Sequence, residues 1–240
     1  MKTNPTSPKP GFIVQSGRQA KALKILKILE DAGKVRNSSL KLLDIGTGNG
    51  EIAFFLSEFF DVTSVDVKDQ RSQTGGFKFV CTEGEYLPFE NRHFDVVISN
   101  HVIEHVNNAD VHLTEIYRVL KSDGAVYLAT PNRLWPWEVH YRMPLLHYLP
   151  QPVFMQILKY MGKYHEEVNL LSWFSLKDKA QNHFSISIFS DSVCKWPQRY
   201  YLNLNNKVAL LLSWIPLFLY RICTFIHPTL IVVFKPKINQ

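Results

Sequence analysis

Apolar residues set the first rhythm of the chain. Between residues 16 and 30, Ala22, Leu23, Ile25, Leu26, Ile28 and Leu29 recur at helical spacing against Lys21, Lys24 and Lys27, which predicts an amphipathic helix. The three lysines lie three apart and share a face, either a plainly solvated one or a stripe facing RNA or lipid headgroups. The rhythm then changes to short apolar runs alternating with helical segments. Strands are expected at 40–45, 61–67, 77–81, 94–99 and 125–130, and helices at 51–60 and 110–120. The run FDVVIS at 94–99 is unbroken after its aspartate, as in a strand buried on both faces. Strands alternating with helices imply a parallel sheet covered on both sides.

After Pro131 the periodicity loosens. Residues 135–165 are rich in Trp, Tyr, His, Met and Pro and read as an inserted aromatic cap. A helix is expected at 171–180, a strand at 183–189, a long apolar helix at 207–225 and a last strand at 229–234. The first ten residues hold three prolines and no apolar run. They read as part of a flexible arm, 1–15, without the apolar core of a secretory signal.

Composition narrows this picture. The chain has 240 residues, 46% of them hydrophobic and 20% charged, which excludes disordered and fibrous classes. One domain, 16–240, is large enough to bury a core without staples. Three scattered cysteines, Cys81, Cys194 and Cys223, form neither a disulfide framework nor a cysteine-rich zinc site. They suit a reducing, cytoplasmic setting. The net charge of +6 is compatible with phosphates or an anionic membrane surface and is no nucleic-acid signature by itself.

The densest chemical signal is Asp44-Ile45-Gly46-Thr47-Gly48-Asn49-Gly50. A strand runs into closely spaced glycines and a helix begins behind them. Glycine lets a backbone turn sharply and approach a ligand, and the helix start presents free N–H groups. Asp66 ends the next strand, where a carboxylate can accept ribose hydroxyls.

These residues resemble the first motif of the class I S-adenosylmethionine-dependent methyltransferases, including the type 11 and ubiquinone-biosynthesis O-methyltransferases. Glu83-Gly84-Glu85-Tyr86-Leu87-Pro88-Phe89 with Phe94-Asp95-Val96-Val97 is similar to a second block of that family. The run Glu115–Gly124 and Ala129-Thr130-Pro131-Asn132-Arg133 are similar to two further blocks. The resemblance covers about 40–133. It implies a Rossmann-like three-layer α/β sandwich with a seven-stranded, mostly parallel sheet and an antiparallel last strand.

The resemblance also implies residue roles toward S-adenosylmethionine. Gly46, Thr47, Gly48 and Gly50 would hold its methionine part, and Asp44 would lie near its ammonium. Arg18 would reach its carboxylate. Asp66 would take the ribose and Val67 would lie against adenine. Glu83 and Gly84 would meet the adenine edge, and Asn100 would lie beside the sulfonium. Two departures stand in the blocks: Glu83 replaces the usual Asp, and Ser122-Asp123 replaces Pro-Gly before Gly124.

Asn100-His101-Val102-Ile103-Glu104-His105-Val106 follows the fourth strand, at the ligand end of an open sheet. If it starts a helix, His101, Glu104 and His105 share one face. Three readings stay open: a divalent-metal site, His101 or His105 as a general base without metal, or a purely structural helix start. HVIEHV resembles the EVLEHV of the ubiquinone O-methyltransferases, some of which are metal-dependent, with His101 in place of the first Glu. Glu138 and His140 form a second acid–base candidate, with Trp135, Trp137, Tyr141 and Tyr148 either lining an apolar cleft or covering the sheet edge.

The segment 208–234 is apolar, but Arg221, Pro216 and Pro228 interrupt it, against a membrane span. Its last part reads as a core strand. The helix before it is apolar nearly all round, so it is either deeply buried or lies at a lipid interface. The expected activity is methyl transfer to an oxygen of a lipid-like, quinone-like or glycan-type molecule, with peripheral membrane contact an accompanying expectation. A tRNA-modifying methyltransferase and a non-catalytic cofactor-holding partner are the alternatives.

Overall fold

A computed structural model describes residues 17–34, 36–138, 141, 143–164 and 168–237. The arm read at 1–15 lies outside the described residues. Helix α1 (Gly17–Asp31) leads to β1 (Lys41–Ile45), α2 (Glu51–Leu56), β2 (Asp61–Asp66), β3 (Lys78–Cys81), β4 (Phe94–Asn100), α3 (Ala109–Val119) and β5 (Leu120–Pro131). A two-residue hairpin follows, β6 (Trp137–Glu138) and β7 (Met143–Pro144), then α4 (Gln151–Tyr160) and α5 (Trp173–Ala180). The chain closes with β8 (Phe184–Ile188), α6 (Ser190–Lys195), α7 (Asn206–Trp214), α8 (Leu217–Ile222) and β9 (Thr229–Pro236).

The main sheet has seven strands in the order β3-β2-β1-β4-β5-β9-β8. Strands β1 to β5 pair in parallel, and β9 runs antiparallel between β5 and β8. This is the Rossmann-like, mostly parallel sheet with a reversed last strand. The strand order turns back between β1 and β4, whose ends meet at Ile45 and Ser99. Open α/β sheets place their ligand crevice at such a switch point.

Alternation along the strands feeds two cores. Leu42, Val62, Val96, Ile98 and Tyr127 pack with α1 and α2, while Leu43, Val65, Val97, Val126 and Leu128 pack with α3 and α5. Successive side chains leave opposite faces of a strand, so an unbroken apolar run is what a sheet covered on both sides needs. The cap holds a small core of its own, with Tyr141, Phe154, Met155, Leu158 and Val168.

Two expectations are corrected here. The single long helix expected at 207–225 is two short helices and a 3-10 turn (Thr224–Ile226), because Ile215 is extended before Pro216. Proline lacks an N–H and disfavours helix in the residue before it. The helix expected at 51–60 stops at Leu56. Helix α6 was not anticipated. Among the described residues no helix is long and apolar enough to cross a membrane.

Candidate functional site at the carboxyl end of the sheet

The glycine turn sits at the end of β1. Gly46 and Thr47 donate their N–H groups to the Val65 carbonyl at 2.8 and 3.2 Å, and Gly48 N–H donates to Asp66 Oδ2 at 2.9 Å. Asp66 thus holds the turn against β2. Gly50 has φ +83°, and a Cβ there would collide with the Gln73 carbonyl oxygen; only glycine fits. A Cβ at Gly46 would stand 2.5 Å from Val102 Cγ2. That close approach brings the loop after β4 directly beside the turn.

Asp44 is buried, and its Oδ2 has no hydrogen-bond partner among the described residues; neither has the buried Thr47 Oγ1. Burial first, and then the neighbouring Asp66 charge, pushes the Asp44 carboxyl up to about 8. Such a group gains most from a cation placed against it. Arg18 comes to the turn from α1, its guanidinium nitrogen 3.7 Å from where a Gly48 Cβ would stand. Val67 is exposed at the end of β2. Thr82 N–H donates to the Asp66 carbonyl, which brings the exposed Glu83 and Gly84 alongside Asp66.

These residues fit S-adenosylmethionine by their chemistry. An unpartnered buried carboxylate suits its ammonium, Arg18 its carboxylate, Asp66 its ribose, and the Val67–Glu83–Gly84 edge its adenine. Asn100 ends β4 opposite Ala129, at the same end of the sheet.

The segment after Asn100 is not a helix. It is a series of turns, and His101 adopts φ +59°, a left-handed conformation uncommon for residues other than glycine and found where structure over-determines it. His101 N–H donates to the Ala129 carbonyl at 2.8 Å. The turn breaks up the expected trio. His101 Nδ1 lies 3.2 Å from Glu104 Oε1, whereas His105 is exposed. Among the described residues no three His, Cys, Asp or Glu side chains are gathered as a metal ion would need. His140 lies outside the described residues, as does the side chain of Glu138.

Glu104 is fully buried. Its Oε2 accepts from Thr130 Oγ1 at 2.9 Å. Burial opposes its charge, but the hydrogen bonds from His101 and Thr130 prevail and hold the carboxyl below its ordinary range. An ionised carboxylate only accepts, so His101 Nδ1 is the donor in this contact. Sequence reading missed Thr130 as the partner that completes this line, although it stands in the Ala129–Arg133 block.

Other motif residues act as ties. Asp95 accepts from Lys41 N–H at 2.9 Å and from Lys121 Nζ at 2.8 Å. Arg118 pairs with Glu115 and donates to the Leu87 and Phe89 carbonyls, while Glu115 accepts from Leu87 N–H. Asn132 donates to the Phe225 and His227 carbonyls, each at 2.9 Å. The lysine face of α1 is not a uniform stripe. Lys27 pairs with Asp31 at 2.8 Å, and burial, with Lys21 nearby, pushes Lys24 down to about 8.

Beneath the cap lies a cavity of about 120 Å³ lined by residues including Arg133, His147, Gln151, Phe154 and Asn169. Asn169 N–H donates to the Glu104 carbonyl at 2.7 Å, so the cavity adjoins the histidine loop. It is small beside the roughly 300–1,000 Å³ of ordinary ligand pockets. Of the cap aromatics, Tyr141 is buried in the cap core and Trp137 is exposed.

Comparison with known proteins agrees with this geometry. A family model described as a methyltransferase domain matches residues 43–128. A mitochondrial ubiquinone biosynthesis O-methyltransferase of Arabidopsis thaliana is 34% identical over 106 residues, 39% of this chain and 33% of the relative. A phthiotriol/phenolphthiotriol dimycocerosates methyltransferase of Mycobacterium leprae is 29% identical over 133 residues, 50% of this chain and 49% of the relative. The chain thus spans a third to a half of the length of these curated relatives. The crystal structure of YcgJ from Bacillus subtilis superposes with TM-score 0.54 at 16% identity, covering 90% of this chain and 99% of that one, a likeness of fold. Residues 43–128 are thus similar to a methyltransferase domain, and the likeness to the solved structure extends over the fold of the chain.

Proposed function

We propose that the chain transfers a methyl group from S-adenosylmethionine to an oxygen of an apolar, lipid-like or quinone-like acceptor. The observation that carries this reading is the line from buried Thr130 and Glu104 to half-buried His101, set against the glycine turn through Val102. When bound, S-adenosylmethionine supplies a methyl group already activated on a sulfonium, so the protein's task is alignment and proton removal.

Asp44, Arg18 and the 46–50 turn hold the amino-acid end, and Asp66, Val67, Glu83 and Gly84 hold the nucleoside end. Glu104 fixes the His101 tautomer and stabilises the charge His101 gains. His101 Nε2 accepts the proton of the acceptor hydroxyl as the oxygen attacks. One relative is named for ubiquinone biosynthesis and the other for phthiotriol/phenolphthiotriol dimycocerosates, which supports an apolar acceptor for this chain. The uneven lysine face of α1 gives the RNA alternative little support.

The test is transfer of labelled methyl into lipid, small-molecule and RNA fractions, beside calorimetric titration of the cofactor. Label is expected in the lipid or small-molecule fraction. His101→Asn, which tolerates the left-handed backbone, is expected to lower turnover about 100-fold or more with cofactor affinity unchanged. Binding without transfer to any fraction would identify a non-catalytic cofactor holder, label in RNA would establish the tRNA alternative, and full activity in His101→Asn would remove the base assignment.

A further inference from the structure

The connection between β8 and β9 is built inside out. Helix α7 exposes Val208, Leu210, Leu211 and Trp214, and α8 exposes Phe218, Leu219 and Ile222; Trp214 is 78% exposed and Leu211 69%. Ala209 is the buried residue of α7, and α8 has none. On the inward side, Ala209 and the half-buried Leu212, Leu217 and Tyr220 are joined by polar ties. Lys195 of α6 donates to the Ser213 carbonyl at 2.6 Å and to the Ile215 carbonyl. Asp191 of α6 accepts from Thr224 Oγ1 at 2.7 Å, and Tyr220 OH donates to the Leu212 carbonyl at 2.8 Å. A surface helix of a globular protein ordinarily turns its apolar stripe to the core. Here polar ties fasten two helices whose apolar side faces outward.

Charge identifies the medium that face meets. Every Asp and Glu of the chain lies before residue 192, while six Lys and Arg lie after it. The first 191 residues are balanced, so the whole net charge of +6 comes from residues 192–240. Lys207 lies in the first turn of α7 and Arg221 in the last turn of α8; both are exposed and neither enters an ion pair among the described residues. An apolar helical face with an exposed Trp, flanked by unpaired cations, matches an anionic lipid interface, where hydrophobic insertion and headgroup attraction add.

We infer that α7 and α8 form an interfacial docking surface for an anionic lipid bilayer. It lies at the ligand end of the sheet. Thr229 pairs with Pro131 at the carboxyl end of β5, and Asn132 binds the Phe225 and His227 carbonyls just behind α8. Docking there sets the crevice beside the membrane, where an apolar acceptor resides. The surface stands independently of the methyltransferase reading.

The test is flotation of the full chain with vesicles of phosphatidylcholine alone and of phosphatidylcholine mixed with phosphatidylglycerol. The chain is expected to float with the anionic vesicles. Leu211→Asp/Phe218→Asp is expected to cut the bound fraction about tenfold or more. Both sites are exposed, so its melting temperature and cofactor titration should match the parent. Lys207→Gln/Arg221→Gln is expected to lose the preference for anionic over neutral vesicles. Failure of the parent to float, equal flotation of the Asp double variant, or burial of this face in a dimer of the chain by light scattering would overturn the inference. Flotation without any cofactor heat would instead count against the methyltransferase reading and leave the docking surface in place.

Discussion

Asp44 shows how one buried side chain couples stability to binding. Its carboxyl ionises near 3.8 in the unfolded chain and near 8 in the fold, because burial and Asp66 both oppose its charge. A group raised in this way contributes stability that is fully present below pH 3.8 and is lost as pH rises toward 8. Asp44→Asn is therefore expected to flatten the fall in melting temperature across that window. At pH 9 it should stabilise the cofactor-free protein by about 1–3 kcal/mol, the cost of a buried group left unsatisfied. It should also weaken S-adenosylmethionine binding about tenfold or more by calorimetry. An unchanged melting profile would mean that Asp44 finds a partner in solution. His101 is the complementary case: its left-handed backbone costs energy that the Ala129 and Glu104 hydrogen bonds sustain, and strain of that kind collects at functional sites.

At the scale of elements, the family blocks turn out to be joints between loops and helices. Helix α3 begins with Asn108, whose side chain accepts from Asp110 and Val111 N–H groups, an ordinary cap. Its other end carries Glu115 and Arg118, which grip the 87–89 loop downstream of Glu83 and Gly84. Arg118→Ala removes charge-assisted hydrogen bonds to two backbone carbonyls. It is expected to destabilise the protein by about 1.5–3 kcal/mol and to raise the cofactor dissociation constant several-fold, while turnover at saturating cofactor stays near the parent value. A fall in turnover with unchanged affinity would show that the loop serves the acceptor and not the adenine edge.

At the scale of the whole molecule, the crevice draws on α1, β1, β2, β4, β5 and the loops between them. A ligand that bridges these elements binds only the folded chain, so it raises stability by mass action. At 100 times its dissociation constant, S-adenosylmethionine is expected to add about 2.7 kcal/mol, read as a rise in melting temperature. Under the same concentrations the rise should shrink in Asp44→Asn. No rise in the parent at any concentration would exclude the cofactor site. The sequence by itself determined the alternating strands and helices, since apolar period and turn residues report local backbone preference directly. It also determined the glycine turn, because closely spaced glycines and a strand-end acid are local features of the chain. The tertiary structure decided what depended on distant partners. Glu104, in the loop after β4, meets both Thr130 of β5 and His101, and turns stand where a helix was expected, which no helical spacing could show. It also decided which way the apolar end faces: the pattern of 208–226 is apolar nearly all round, and only the polar ties from Asp191 and Lys195 on α6 fix the inward side and leave the apolar side outward.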